Sequence, residues 1–210
     1  MVLDKHRSTV EPVLTPMAKR LTRIPPDVFT WLSLLFAFIA GVFFFFSDAT
    51  TELMTYYLFF ASLFVFLNGL FDALDGKVAK LAKKASKRGD FLDHAIDRYA
   101  DVFMVGGLAL SAWTRPWIGL AALIGMLLTS YMGTQAQAVG QKRDYSGLLG
   151  RADRLVLLMI FPLVQHMILR TSFELPWGTT ILEWVLIYFA VIGNITALQR
   201  FYSTLKWFKK

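Results

Sequence analysis

Residues 68–80 read NGLFDALDGKVAK, and after a short basic stretch residues 89–101 read GDFLDHAIDRYAD. Each segment carries two aspartates about one helical turn apart, Asp72 with Asp75 and Asp93 with Asp97. Because residues three or four positions apart share one face of a helix, each pair should project to the same side. The short connection between the segments predicts two antiparallel neighbouring helices, with all four carboxylates at the same depth.

Long apolar runs surround these segments. Hydrophobic residues make up 56% of the 210-residue chain and charged residues only 18%, a balance that a lipid bilayer can solvate and a soluble domain cannot. Runs of about 20 mostly apolar residues predict six membrane-spanning helices, near 28–47, 53–74, 91–112, 117–139, 155–169 and 179–201. The fifth run is the shortest, so its helix is expected to start earlier. A helix satisfies its own backbone hydrogen bonds in hydrocarbon, so the predicted fold class is an all-α membrane protein.

The basic residues predict the orientation of these helices. All but three of the 22 Lys and Arg residues lie before the first predicted span, in alternate loops, or at the C-terminal end. The exceptions are Arg98, Arg115 and Arg170. By the positive-inside rule, both termini and the aspartates are cytoplasmic in a multi-pass protein of the cell membrane. An even number of spans gives the same result.

The N-terminal segment, residues 1–24, is amphipathic and predicts an interfacial helix on the cytoplasmic surface. The residues expected on its apolar face are Val10, Val13, Leu14, Met17, Ala18 and Leu21. We expect no removable signal peptide and a single domain over residues 1–210. The chain has a net charge of +7, and its basic residues lie between the apolar runs. This distribution favours anionic lipid headgroups, rather than nucleic acid, as the partner of the basic residues. The lack of cysteine excludes disulfides and thiol catalysis.

Four carboxylates at one end of a membrane protein require compensation, since an Asp at the membrane centre costs about 2.5–3.5 kcal/mol even on the most lenient scale. The loop lysines and arginines can pair with some of them, and a purely structural role is the plain alternative. A divalent cation fits the pattern better, because hard ions such as Mg²⁺ favour carboxylate and phosphate oxygens. A cation transporter is the other alternative, but it predicts acids spread through the bilayer depth. Outside the cluster, Glu183 is the one comparable acid within a predicted span.

The pattern Asp72-x-x-Asp75-Gly76-x-x-Ala79-Lys80, followed by Gly89-x-x-x-Asp93-x-x-x-Asp97, resembles the signature of the CDP-alcohol phosphotransferases. The family has Arg where this chain has Lys80. The resemblance covers the whole chain, because that family also has six helices after an interfacial helix. It implies transfer of a phosphate-linked lipid from CDP-diacylglycerol or CDP-archaeol to an alcohol, with release of CMP, by a homodimer.

The resemblance also implies roles for individual residues. The implied ligands of two Mg²⁺ or Mn²⁺ ions are Asp72, Asp75, Asp93 and Asp97, and Asp97 is also the implied general base. The implied CDP-binding residues are Asp27, Thr30, Asp72, Gly76 and Lys80. Lys80 lacks the bidentate fork of the family's Arg, and Asp27 replaces the Asn of a Pro-Asn-x-x-Thr motif. His94 is expected beside the site rather than as a ligand, and Asp101 is expected to support it by pairing with Arg98 or another polar group.

A second basic group follows the fourth predicted span and predicts that the acceptor carries its own phosphate. The candidate phosphate contacts are Lys142, Arg151, Arg154 and Arg200; ordinary positive-inside residues are the alternative. Family members that use inositol phosphate or glycerol phosphate have arginines at the last three positions. After Ser130-Tyr131, however, this chain has Gly133, Thr134 and Gln135 where inositol-phosphate members usually carry basic residues. The implied acceptor is inositol phosphate, followed by glycerol 3-phosphate and then serine.

Overall fold

The computed structural model describes residues 7–142, 144, 146–171 and 175–209, with side chains described from residue 11. Over these residues the chain is all-helical, with seven α-helices and a short 3₁₀ turn at Pro176–Gly178. The helices are α1 (Arg7–Arg20), α2 (Pro26–Phe46), α3 (Glu52–Leu81), α4 (Lys87–Ala109), α5 (Pro116–Ala138), α6 (Arg151–Ile168) and α7 (Ile181–Trp207).

Four helices, α2, α3, α5 and α7, are long and apolar enough to cross a membrane. The charged residues of α4 and α6 keep these two helices out of that group: α4 holds Asp93, Asp97 and Asp101, and α6 begins with Arg151 and Arg154 in its first turn. The start of α6 at Arg151 lies four residues before its apolar run, as expected. α3 continues past its aspartates to Leu81.

α3 and α4 pack mainly through α2. α2 packs along both α3 and α4, α5 packs along α7, and α6 contacts α3 and α7. Few backbone contacts join α3 to α4 directly, and the two expected antiparallel neighbours meet at the aspartates beside their connecting turn. Both lie on α2, where Asn68 Nδ2 donates a hydrogen bond to the Ser33 carbonyl oxygen at 2.9 Å.

Glycines explain why α2 and α4 approach so closely. A Cβ atom on Gly107 would lie 2.1 Å from the Gly41 carbonyl oxygen, and one on Gly41 would lie 2.3 Å from the Phe103 carbonyl oxygen. The same device joins α5 and α7, where a Cβ on Gly125 would lie 2.9 Å from the Asn194 backbone nitrogen. Small residues allow such contacts in a bilayer, where the hydrophobic effect does not drive helices together.

α1 packs on α3 beside the aspartate segment. Leu14 and Ala18 are buried with Phe29, Leu74 and Val78 in a small apolar cluster. The predicted apolar face of α1 is therefore divided. Its buried part contacts protein, whereas Val13 and Met17 are exposed; the side chain of Val10 lies outside the described residues.

Candidate active site

The turn between α3 and α4 brings the aspartates together. α3 ends at Leu81, and α4 starts at Lys87 with the Ser86 hydroxyl accepting a hydrogen bond from the Gly89 N–H at 3.1 Å. Lys83 adopts a positive φ of 55° in this turn, so the chain reverses within a few residues. The last turns of α3 and the first turns of α4 therefore face each other.

The four predicted carboxylates form one continuous cluster. Oxygens of Asp72, Asp75 and Asp93 lie within 4.8 Å of one another, and so do ligand atoms of Asp93, His94 and Asp97. Asp93 belongs to both groups. The cluster contains carboxylate oxygens from both helices, which are ligands that suit a hard divalent cation. His94 lies beside the cluster, 3.4 Å from Asp90 and 3.6 Å from Asp93, and is within reach as a ligand.

The burial of two aspartates makes the cluster costly without a cation. Asp75 is 4% exposed and Asp97 is 8% exposed. The Thr30 hydroxyl lies within hydrogen-bonding reach of the Asp75 carboxylate, but Asp75 Oδ2 is buried and has no hydrogen-bond partner. A carboxylate buried in this way is stabilised by a compensating positive charge. The donor set therefore fits a divalent metal ion.

Arginines from α6 enter the same cluster. Arg151 Nη1 lies 2.6 Å from Asp72 Oδ2 and 2.7 Å from Asp97 Oδ1. Arg154 Nη2 donates to Asp101 Oδ2 at 2.6 Å, and both side chains are buried. The expected pairing of Asp101 with a polar group is thus confirmed, with Arg154 as its closest partner and Arg98 at 4.0 Å.

Arg98 joins this network to α5, since its Nη1 donates a hydrogen bond to the Ser130 hydroxyl. Its Nη2 lies 3.4 Å from Asp97 Oδ2. Asp97 is therefore held between Arg151 and Arg98. In the sequence Arg98 is an exception to the charge rule and an expected partner of Asp101, whereas its contact with Ser130 had no sequence signal.

Arg200 holds the loop that precedes α6. Its Nε donates to the Ser146 carbonyl oxygen at 2.9 Å and its Nη1 to the Thr129 carbonyl oxygen at 2.6 Å. Burial acts to raise the pKa of Asp144, but hydrogen bonds from Ser146 and Ser203 and the charge of Arg200 outweigh it and lower the pKa. Of the four predicted phosphate contacts, only Lys142 is exposed.

Two further contacts fix the same loop. The Leu149 N–H donates to Thr196 Oγ1 at 3.2 Å. Gly147 has a φ of +118°, and a Cβ there would lie 2.3 Å from Thr196 Cγ2. These contacts from α7 set where α6 begins, and so where Arg151 lies, and no motif in the sequence pointed to Thr196 or Gly147.

The predicted CDP-binding residues lie around the same end of the bundle. Asp27 Oδ2 pairs with Arg88 Nη1 at 2.5 Å, and Lys80 is exposed in the last turn of α3. Gly76 lies inside α3, and a Cβ built on it would meet no atom within 4 Å. Packing within the chain therefore does not explain the glycine.

Glu183 lies outside this cluster. Its carboxylate accepts hydrogen bonds from Arg115 Nε at 2.8 Å and from Arg115 Nη2 at 3.0 Å. Arg115 precedes α5 and Glu183 lies in the first turn of α7, so this pair joins helix starts distant from the aspartates. The hydrogen bond to Glu183 raises the pKa of the Arg115 guanidinium.

Comparisons with known proteins agree with this site. The model of the CDP-alcohol phosphatidyltransferase family matches residues 23–196. An archaetidylinositol phosphate synthase from Methanothermobacter thermautotrophicus is 27% identical over 95% of this chain and 92% of its own length. A phosphatidylinositol phosphate synthase from Mycobacteroides abscessus is 30% identical over 94% and 86%, respectively.

Solved structures of the phosphatidylinositol phosphate synthase from Mycobacterium tuberculosis share the fold. The structure with CDP-DAG bound superimposes with a TM-score of 0.71 and 26% identity, covering 92% of this chain and 94% of that one. The structure in complex with manganese and citrate gives a TM-score of 0.70 and 26% identity, covering 91% and 88%.

Proposed function

Because this chain belongs to the CDP-alcohol phosphatidyltransferase family, we propose that it transfers the phosphate-linked lipid of a CDP-lipid to an inositol phosphate, with release of CMP, in phospholipid biosynthesis. The observation that carries this proposal is the cluster of aspartates from α3 and α4, in which Asp93 lies within 4.8 Å of both Asp75 and Asp97. The relatives named above are synthases of inositol-phosphate lipids.

In this proposal the cluster binds Mg²⁺ or Mn²⁺, as two ions in the complete substrate complex. The proposed ligands are Asp72, Asp75, Asp93 and Asp97. The orphaned Asp75 oxygen and the manganese complex of the Mycobacterium tuberculosis enzyme support divalent metal binding. When bound, the metal supplies positive charge to the diphosphate oxygens and to the departing CMP.

The chain's own residues bind and orient the substrates. Gly76 leaves space for the CDP moiety beside α3, with Thr30 and Asp27 on the neighbouring α2 and Lys80 one turn beyond. Asp97 accepts the proton of the acceptor hydroxyl as the new P–O bond forms. Arg98, whose Nη2 lies 3.4 Å from Asp97 Oδ2, holds that carboxylate in place.

The acceptor's phosphate is proposed to bind on the α6 side of the cluster, with Arg151 and Lys142 as direct contacts. The buried contacts of Arg154 with Asp101 and of Arg200 with the Ser146 and Thr129 carbonyls favour supporting roles for these two. The missing basic residue at Gly133 also has a structural reason. A Cβ there would lie 3.0 Å from Arg200 Nη1 and 2.9 Å from the Asp144 carbonyl oxygen, so Arg200 fills the space.

The proposed membrane arrangement has six spans, α2 to α7, with both termini and the active site cytoplasmic. α1 would lie along that surface with Val13 and Met17, both exposed, toward the lipid. A homodimer is proposed by family resemblance.

Measurement of CMP release tests the function. Purified protein in detergent or nanodiscs would receive CDP-diacylglycerol or CDP-archaeol, Mg²⁺, and one of three acceptors: myo-inositol 1-phosphate, glycerol 3-phosphate or serine. We expect CMP with inositol phosphate and none after addition of EDTA. CMP only with glycerol 3-phosphate would overturn the acceptor, and no CMP with any acceptor would overturn the activity and favour a transporter.

A further inference from the structure

The positively charged side chain of Arg151 lies among the proposed metal ligands. Arg151 is the first residue of α6, yet its Nη1 lies between the two helices that carry the aspartates, 2.6 Å from Asp72 Oδ2 and 2.7 Å from Asp97 Oδ1. These oxygens belong to two of the four proposed metal ligands. One nitrogen thus bridges carboxylates from α3 and α4.

The other edge of the same guanidinium is unused. Arg151 Nε and Nη2 are buried and have no hydrogen-bond partner, and the nearest Asp101 oxygen is 4.0 Å from Nε. A guanidinium carries five N–H donors in a fixed fork. Buried donors without partners are uncommon in folded proteins, so this edge is suited to an anion that arrives from outside.

The arginine and a metal ion would compete for the same carboxylates, Asp72 and Asp97. Mg²⁺ binds carboxylate oxygens at about 2.0–2.1 Å in near-octahedral geometry, and Mn²⁺ also prefers oxygen ligands. An ion bound to Asp72 and Asp97 would bring a double positive charge close to the Arg151 guanidinium, and like charges repel strongly in a poorly hydrated site. The arginine and the metal therefore weaken each other's hold on these carboxylates.

We propose that Arg151 is a built-in competitor of the divalent metal, which metal binding displaces from Asp72 and Asp97 toward the phosphate of the acceptor. The inference rests on the proposed function. It makes Arg151 the link between two binding events: metal binding frees its guanidinium for the acceptor, and the acceptor keeps it away from the metal ligands. Such coupling is reciprocal, so each ligand strengthens the binding of the other.

Mn²⁺ binding to the purified full-length protein tests this inference without turnover. Calorimetry or Mn²⁺ electron paramagnetic resonance would compare the unchanged protein with Arg151→Gln and Arg151→Lys. We expect Arg151→Gln to bind Mn²⁺ at least tenfold more tightly, because the competing charge is gone. Arg151→Lys, which keeps the charge on a less well matched head group, should fall between the two.

Arg88→Gln is the matched control, since Arg88 lies at the same end of the helix bundle but forms an ion pair with Asp27 rather than with the aspartate cluster. Its Mn²⁺ affinity should change less than threefold. Thermal unfolding is the second readout: Arg151→Gln should be less stable than the unchanged protein in EDTA and recover with Mn²⁺. The EDTA measurement also shows whether Arg151→Gln folds. If it does not fold, the Mn²⁺ affinity of Arg151→Lys is compared with that of the unchanged protein instead.

The outcomes separate the two proposals. Equal or weaker Mn²⁺ binding by Arg151→Gln or Arg151→Lys, with normal binding by the unchanged protein, would show that Arg151 only orients the carboxylates and would overturn this inference alone. Failure of the unchanged protein to bind Mn²⁺ would overturn the proposed metal centre as well.

Discussion

Replacement of Gly76 by Ala should stabilise the folded protein and at the same time weaken its binding of the CDP-lipid. Gly76 lies inside α3 and has no positive φ, and a Cβ there would be more than 4 Å from every atom beyond its two neighbours and the local helix backbone. Alanine in a helix interior is favoured over glycine by about 1 kcal/mol. For a chain of this size that gain raises the midpoint of thermal unfolding by roughly 2–4 °C.

The same methyl group should weaken substrate binding, because the proposed CDP site uses the space beside Gly76. Overpacking of a fitted contact typically costs about 1–3 kcal/mol, which corresponds to a roughly 5- to 150-fold rise in the dissociation constant. We therefore expect a KM for the CDP-lipid at least fivefold higher, with tighter folding. The assay is CMP release over a range of CDP-lipid concentrations, together with thermal unfolding in the same detergent.

Gly106 provides the matched control. It lies within α4, and a Cβ there also meets no atom within 4 Å, but it is outside the motif. Gly106→Ala should raise the unfolding midpoint by a similar amount and leave the KM unchanged. An unchanged KM for Gly76→Ala, with the expected gain in stability, would refute the idea that the nucleotide approaches α3 at this residue.

Three other substitutions test separate parts of the structure. Asp97→Asn should reduce turnover at least about 100-fold, the lower limit for loss of a general base, while CDP-lipid binding measured by calorimetry stays within about threefold of normal; full turnover would exclude Asp97 as the base. Lys80→Arg supplies a bidentate fork and should lower the KM for CDP-lipid with little change in kcat; a higher KM would place Lys80 away from the diphosphate. Gly107→Ala puts a Cβ 2.1 Å from the Gly41 carbonyl oxygen and should lower stability by about 1–3 kcal/mol in thermal unfolding; stability equal to that of Gly106→Ala would contradict the close α2–α4 contact.

The aspartate cluster was predictable because its information is local. Asp72 with Asp75 and Asp93 with Asp97 sit at helical spacings, and a short turn joins the helices, so the spacing alone brings the carboxylates to one end. The relation of α3 to α4 was not predictable in the same way. Close approach of α2 to α4 depends on Gly41 meeting Gly107, and no pattern within either helix specifies that pairing.

The ion pairs of the arginines were also not predictable from local sequence. The sequence placed Arg151, Arg154 and Arg200 in one basic group near the membrane surface. Which anion each one meets depends on where α6 begins, and that is fixed by contacts from α7 at Thr196 and Arg200. Positive residues were therefore predictable as a group, whereas the pairing of Arg151 with Asp72 and of Arg154 with Asp101 was a result of tertiary packing.

The charge balance of the cluster bears on how many metal ions the protein can bind alone. Its five buried or half-buried carboxylates are Asp72, Asp75, Asp93, Asp97 and Asp101, and its three guanidiniums are Arg98, Arg151 and Arg154. Two negative charges remain, which one divalent ion neutralises. A second ion would leave excess positive charge in a poorly hydrated site unless the diphosphate of the substrate accompanied it. We therefore expect one Mn²⁺ per chain without nucleotide and two with a CDP-lipid; two ions bound without nucleotide would contradict this charge argument.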